Sequence, residues 1–317
     1  MKIDRRQFIV LSSGGLVATP LARTFAQAPA QMPAPPPGQT PPAPVVPTFT
    51  DVRRNVGTFT ARGGTIGWLI NKDAVIVVDT QYPDTAKMCV DGLKGKTNAR
   101  SIDAVFNTHH HADHTGGNAI FRPEAKKLIA QSRVPELQRT VAQATPNAPA
   151  PVVADMTFDK TWSQNFGDET VTAAYNGPGH TGGDAIIHFE RAHVVHMGDL
   201  LFHERHPRVD RPAGASIQNW MTILEKVARD MPGDTIYIAG HAKEGLPVTV
   251  DRQAVMRFRD YFDAVLTLVK KGIAAGQTKD AISATAALPG FENYQSAPPV
   301  LTLAGVLGTA YDELSAK

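Results

Sequence analysis

The segment Asn107-Thr-His-His-His-Ala-Asp-His-Thr-Gly116 places four histidines and one carboxylate within six residues, His109 to His114. An imidazole is costly to bury unless both ring nitrogens find partners, so four on one short segment do not suit an ordinary core. They suit a metal. Residues two apart on an extended segment point the same way, so His109 and His111 can share one ion. Asp113 and His114, at the following bend, can turn toward a second. His110 is out of phase with these and is expected to face away. A pair of such ions supports hydrolysis, because a bound metal lowers the pKa of water toward about 7 and makes hydroxide available at neutral pH.

Other elements must supply the rest of the site. Gly177-Pro-Gly-His-Thr-Gly-Gly-Asp184 sets His180 among small residues, which permit positive φ and leave room beside an ion. Val194-Val-His-Met-Gly-Asp-Leu-Leu-Phe202 reads as an apolar strand over 194–197 that leads to Asp199, and Thr235-Ile-Tyr-Ile-Ala-Gly-His241 as a β-rich run that leads to His241. A short strand over 104–107 launches the histidine segment. Chemistry at the C-terminal ends of strands is the habit of α/β folds. Around these, 65–70 and 74–79 read as paired strands about Asn71-Lys-Asp73, with further strands at 171–175 and 185–189. Helices are expected at 84–93, at 249–275, at 299–315, and from Ser216, where Ile217, Met221, Leu224 and Ala228 keep helical spacing.

The ordered set His-x-His-x-Asp-His, Gly-His-Thr-Gly-Gly, Gly-Asp and Gly-His resembles the metallo-β-lactamase-fold hydrolase superfamily over about residues 55–245. That resemblance implies an α/β architecture, an αββα sandwich with the site at one edge. It implies that His109, His111 and His180 hold one zinc, that Asp113, His114 and His241 hold a second, and that Asp199 bridges them. Val75-Ile-Val-Val-Asp79 resembles the family's second strand, where the aspartate buttresses the histidine loop. Five imidazoles and two carboxylates suit two Zn²⁺ per chain, and iron, manganese or cobalt can also occupy such a set. In this scheme metal-bound hydroxide attacks an ester, lactone, thioester or amide carbonyl, and Asp113 is the candidate proton carrier.

Substrate is less constrained than chemistry. The β-lactamases with a second-site thiolate carry cysteine where this chain has Asp199, and many have arginine at the place of His114. They also carry a lysine three residues on, where this chain has Phe202. Gly-Asp-Leu-Leu-Phe is nearer to the hydroxyacylglutathione hydrolases, while acyl-homoserine lactonases have tyrosine at the place of Phe202. A β-lactamase subclass with a second-site histidine shares the first motif and stays open. So does an oxidoreductase of the persulfide dioxygenase kind, with one iron on two histidines and an aspartate. A vestigial, non-catalytic site conflicts with the full set of seven ligands. The Arg- and Pro-rich loop 203–214 follows Asp199, so His203, His206, Arg205 or Arg208 can line a small-molecule pocket, the arginines holding a substrate carboxylate. Trp68 and Trp220 read as core.

Met1-Lys-Ile-Asp-Arg-Arg-Gln-Phe-Ile resembles a twin-arginine export signal, with Arg5, Arg6, Phe8 and Ile9 in the expected places. The expected organisation is a signal peptide over 1–28, a Pro/Ala-rich linker over 29–47 and the hydrolase domain over 48–317, delivered to the periplasm or outside by the twin-arginine machinery. The apolar stretch 8–22 is interrupted by Ser, Gly and Pro and is too short for a stable membrane span. Of the formal charge of +2, residues 1–28 hold +3, so the remainder is near −1. No basic field is left for nucleic acid, which argues against the nuclease branches of the superfamily. The single cysteine, Cys89, can form no internal disulfide and reads as buried packing, in keeping with a chain folded before export.

Overall fold

A computed structural model describes residues 45–316. The twin-arginine signature and most of the Pro/Ala-rich stretch lie outside the described residues. The first sheet contains β1 (Thr48–Arg53), β2 (Val56–Thr60), β3 (Ile66–Ile70), β4 (Val75–Val78), β5 (Ala104–Asn107), β6 (Leu128–Gln131) and β7 (Met156–Phe158), side by side in chain order. The second runs β13-β12-β11-β10-β9-β8, from β8 (Thr161–Phe166), β9 (Glu169–Ala174), β10 (Ile186–Phe189), β11 (Val194–His203), β12 (Ile236–Ala242) and β13 (Thr249–Val250). Both are mixed: β4 to β7 pair in parallel, as do β11 and β12, and the other neighbours are antiparallel.

Side-chain alternation on β4 shows how the layers stack. Ile76 and Val78 enter the core between the sheets with Phe106, Ile187, Phe189 and Ile238. Val75 and Val77 face outward onto Ala86, Cys89, Val90 and Leu93 of α1 (Pro83–Thr97). A strand buried on both faces needs apolar residues at every position, which Val-Ile-Val-Val supplies. The outer face of the second sheet carries α5 (Ile217–Asp230), α6 (Arg252–Ala274) and α8 (Leu303–Ser315), through Trp220, Phe258, Phe262 and Leu307. The remaining short helices are α2 (Ala112–Thr115), α3 (Asn118–Phe121), α4 (Val134–Ala144) and α7 (Lys279–Ser283). The result is the αββα sandwich. No helix among the described residues is long and apolar enough to cross a membrane.

Element ends follow local chemistry. Pro83 sits in the first turn of α1, and Asn98 closes it in the left-handed region at φ 52°. Cys89 is buried on that helix, and burial pushes its thiol up, so it serves as packing. The helix expected at 249–275 begins later. Thr249 and Val250 pair with Ile238 and Tyr237 as an edge strand, and the Asp251 carboxylate then caps α6 by accepting from the Ala254 N–H at 3.0 Å. The strand expected at 194–197 runs on to His203. It bends at Gly198, whose φ of +50° and close approach to Thr108 leave no room for a side chain, since a Cβ would meet Thr108 Oγ1 at 2.5 Å. That irregularity in the pairing with β12 carries Asp199 to the sheet edge.

α5 is capped twice. Ser216 Oγ accepts from the Asn219 N–H, and Glu313 of α8 accepts from the Ile217 N–H at 2.8 Å and the Gln218 N–H at 3.2 Å. A buried carboxylate at a helix N-terminus meets both the free N–H groups and the dipole. Upstream, the Ser216 N–H donates to the Gly179 carbonyl, next to His180. The C-terminal helix is therefore tied to the segment that sets one of the histidines.

Candidate metal centre

Asp79, at the end of β4, organises the histidine segment. Its fully buried carboxylate accepts from the Thr108 N–H and Thr108 Oγ1, both at 2.8 Å, and lies 2.7 Å from His114 Nδ1. One side chain thus fixes the start of the loop after β5 and the histidine six residues on. Gly64 presses the loop between β2 and β3 onto the same ring, where a Cβ would meet His114 Cε1 at 2.1 Å.

His109, His111 and His180 form one group. His111 Nδ1 lies 3.1 Å from His109 Nε2 and 2.9 Å from His180 Nε2. Ligand nitrogens at about 2.0–2.1 Å from a tetrahedral zinc stand about 3.3 Å apart, so these three converge as such ligands do. The outward nitrogens are each met by an acceptor. His111 Nε2 donates to Asp210 Oδ2 at 2.8 Å, His180 Nδ1 to the Arg208 carbonyl at 2.8 Å, and His109 Nδ1 faces Thr108 Oγ1 at 3.1 Å. Such partners fix the tautomer and leave the inward lone pair free. The loop bearing His180 is shaped by Asp184, which accepts from the Gly179 and Thr181 N–H groups and from Thr181 Oγ1.

Asp113, His114 and His241 form the second group. Asp113 Oδ2 is 3.1 Å from His241 Nε2, which is 3.4 Å from His114 Nε2. Asp199 stands between the groups. Its Oδ1 is 3.0 Å from His114 Nε2 and 3.4 Å from His241 Nε2, while Oδ2 is 3.4 Å from His180 Nε2 and 3.9 Å from His109 Nε2. Despite its burial, Asp199 Oδ1 makes no well-directed hydrogen bond. A buried carboxylate oxygen left so is costly, and a cation on each side satisfies it. The seven residues fit a pair of divalent ions.

Electrostatics agree with that fit. Burial opposes charge on His114, yet Asp199, Asp113 and Asp79 outweigh it and hold this imidazole well above its ordinary pKa. Burial is likewise overcome at His241, which Asp199 and Asp113 raise to about 9. Burial and then the neighbouring His114 push His109 well below the usual value, and burial takes His180 down to about 4. The second group thus draws positive charge to itself, while His109 and His180 of the first are held neutral, the form that binds metal.

Some residues fall elsewhere. His110 joins neither group around Asp199, and its Nε2 lies 3.7 Å from Asp210 Oδ2. His203 turns away, its Nδ1 2.7 Å from the Pro247 carbonyl, because β11 is still extended there and directs alternate side chains apart. His206 is buried with Nδ1 2.8 Å from the Tyr261 hydroxyl. Arg208 pairs with Asp210 at 3.1 Å. Phe202 is buried, its ring stacked on His241 with centroids 5.4 Å apart. Trp68 and Trp220 are core, and Trp220 Nε1 donates to the Leu200 carbonyl at 2.9 Å.

Sequence reasoning missed Asp210. It lies 99 residues from His111, in a loop of alternating Arg and Pro with no periodic signal. The His111–Asp210 pair repeats on the first group what His114–Asp79 does on the second. Asp210→Asn is expected to weaken metal binding at the His109–His111–His180 group roughly 10- to 100-fold, read from zinc titration against a chromophoric chelator. Unchanged affinity would remove Asp210 from this role.

A two-sheet sandwich whose edge loops hold histidine–carboxylate groups around one shared aspartate is a metallohydrolase-type scaffold. The chain belongs to the metallo-β-lactamase superfamily: residues 60–241 match that family's model. Over 134 residues it is 27% identical to the α subunit of 2,4-dinitroanisole O-demethylase from Nocardioides sp., covering 40% of this chain and 38% of that one. It is 22% identical over 172 residues to a type 2 metallo-β-lactamase of Bacillus cereus (54% and 64%). It is 30% identical over 150 residues to a hydroxyacylglutathione hydrolase of Brucella ovis (44% and 48%). The chain therefore spans less than two thirds of the length of each. Among solved structures, a metallo-β-lactamase from Pontibacter korlensis aligns with a TM-score of 0.57 at 14% identity, covering 69% of this chain and 99% of its own. The sec-alkylsulfatase Pisa1 from Pseudomonas sp. aligns at 0.63 and 16%, covering 85% and 50%. Both share the fold.

Proposed function

We propose that the protein is an exported binuclear zinc hydrolase that cleaves an ester, lactone, thioester or amide. The observation that carries this reading is Asp199, with one oxygen toward His114 and His241 and the other toward His109 and His180. When bound, two zinc ions there supply Lewis acidity and a hydroxide nucleophile at neutral pH. The protein's own residues do the rest. His109, His111 and His180 present three imidazole nitrogens to one ion, while Asp113, His114 and His241 present a carboxylate and two imidazoles to the other. Asp79, Thr108, Asp210 and the Arg208 carbonyl hold the rings in aim. Asp113 has 25% of its side chain exposed against 6% for Asp199, so it is the carboxylate open to solvent and to a substrate's leaving group. Burial works against its charge, but His114 and His241 hold it well below the usual carboxylate range, so it is ionised, the form that ligates a metal.

The test combines metal quantification with a substrate panel of nitrocefin, lactoylglutathione, an acyl-homoserine lactone and aryl acetates. Two zinc ions per chain and turnover of at least one panel member are expected, lost on chelation and restored by zinc. Turnover that survives complete metal removal, or one iron per chain with oxygen uptake, would overturn the reading. Export rests on Arg5 and Arg6. The full chain is expected in the periplasm of a host with the twin-arginine machinery, and the Arg5→Lys, Arg6→Lys double variant in its cytoplasm. Equal distribution of the two would count against that route.

A further inference from the structure

The second metal group adjoins, at His241, a cavity of about 460 Å³, a size suited to a small organic ligand. His241 lines it at one point. Arg205, Gly63 to Thr65 and residues 242–249 line the rest, with Thr58 and Thr60 contributing hydroxyls. Most cations near it are already engaged. Lys243 Nζ donates to the Asn293 carbonyl at 2.9 Å and faces Glu204 at 3.7 Å, Arg62 pairs with Asp84, and Arg208 pairs with Asp210.

Arg205 differs from these. Among the described residues it makes no ion pair and no side-chain hydrogen bond, and its Nε is buried without a partner. Its backbone, by contrast, is fixed. Arg205 bridges to Gln295, the Gln295 N–H donates to the Glu204 carbonyl at 2.9 Å, and the His206 N–H donates to the Gln295 carbonyl at 3.0 Å. A guanidinium held on an anchored backbone, half-buried at a cavity wall and left with free donors, is a preorganised receptor for a planar oxyanion. Burial lowers its pKa, while Asp199 and Asp113 work in the opposite direction, which places the guanidinium within reach of the field of the metal groups.

We infer that Arg205 is a specificity-determining residue that binds a carboxylate, or an equivalent sulfonate-type oxyanion, carried by the substrate away from the bond that is cleaved. This rests on the hydrolase reading and narrows it to anionic substrates. The loop sequence offered Arg205 and Arg208 equally. Structure separates them, because Arg208 is spent on Asp210 behind His111 and Arg205 faces the cavity.

The experiment compares three aryl acetates of similar leaving-group geometry on the zinc-loaded full chain: 4-acetoxybenzoate, 4-acetoxybenzenesulfonate and the neutral methyl 4-acetoxybenzoate. Rigid para substitution keeps the anion from attacking its own ester. The ratio of kcat/KM for an anionic to the neutral ester is expected to fall roughly 10- to 100-fold in Arg205→Met, through KM, with part of the ratio retained in Arg205→Lys. The carboxylate and sulfonate arms show which oxyanion is preferred. A ratio that does not change, or equal losses on all three esters, overturns the inference. Calorimetry with 4-hydroxybenzoate and 4-hydroxybenzamide keeps it testable if none of these esters is cleaved, an outcome that by itself leaves the anion site standing. Tighter binding of the acid than of the amide, weakened at least tenfold in Arg205→Met, supports the anion site. Equal binding of the acid by parent and variant shows that the carboxylate goes to the metals and overturns it.

Discussion

Asp199→Asn is expected to reduce the bound metal from two ions per chain to one or none and to cut turnover on the order of 10³-fold or more. Outer partners of metal ligands typically contribute 10- to 100-fold each, and Asp199 is the one side chain that faces both groups, so its loss exceeds theirs. The amide keeps the shape but not the charge, and its single oxygen cannot face two cations as the two oxygens of a carboxylate do. Elemental analysis after dialysis and aryl ester turnover read the two effects, with circular dichroism to check that the fold persists. Two tightly held ions and parent-like turnover would show that Asp199 is not the bridge.

The second large effect falls on stability. Asp79→Ala removes a carboxylate with no solvent exposure, leaving the Thr108 N–H and His114 Nδ1 buried without an acceptor. Breaking a buried, hydrogen-bonded charge pair costs about 3–5 kcal/mol. A fall of that size is expected in urea unfolding of the metal-free protein, where no ligand binding contributes to the curve. Asp79→Asn should recover only part of that loss, because one amide oxygen still accepts from Thr108 while the charge opposite His114 is gone. It should lose metal affinity, because an amide cannot orient His114 as a carboxylate does. An Ala variant within about 1 kcal/mol of the parent would mean that the loop holds itself without this buttress.

The parts of this protein that could be read in its sequence are those whose signal is local. His109 to His114 announce themselves by density alone, and β4, β5, β11 and β12 by uninterrupted apolar runs next to a ligand type. The helix from Ser216 carries both its cap and its apolar spacing. β1 and β8 went unread because they lie at sheet edges, largely exposed, with Thr, Asp, Ser and Gln where a buried strand would show alternation. α4 has Pro135 in its first turn and only three buried residues, too few for a clear stripe. The start of α6 was misread because Thr249 and Val250 continue its apolar pattern, and only tertiary pairing with β12 separates them. Asp210 depends on a contact with His111 99 residues away, and Arg205 on a cavity whose walls come from distant loops, which no local window contains.

Glu313 has a consequence for how the centre is made. It joins α8 to Ser216 across a separation of 97 residues, and Ser216 in turn is joined to Gly179, beside His180. A nascent chain still lacking α8 would leave the start of α5, which adjoins the His180 loop through Ser216, without that second cap. On the proposed reading, metal is expected to be acquired after synthesis of that helix, and an exporter that accepts only finished cargo would pass a protein already carrying its ions.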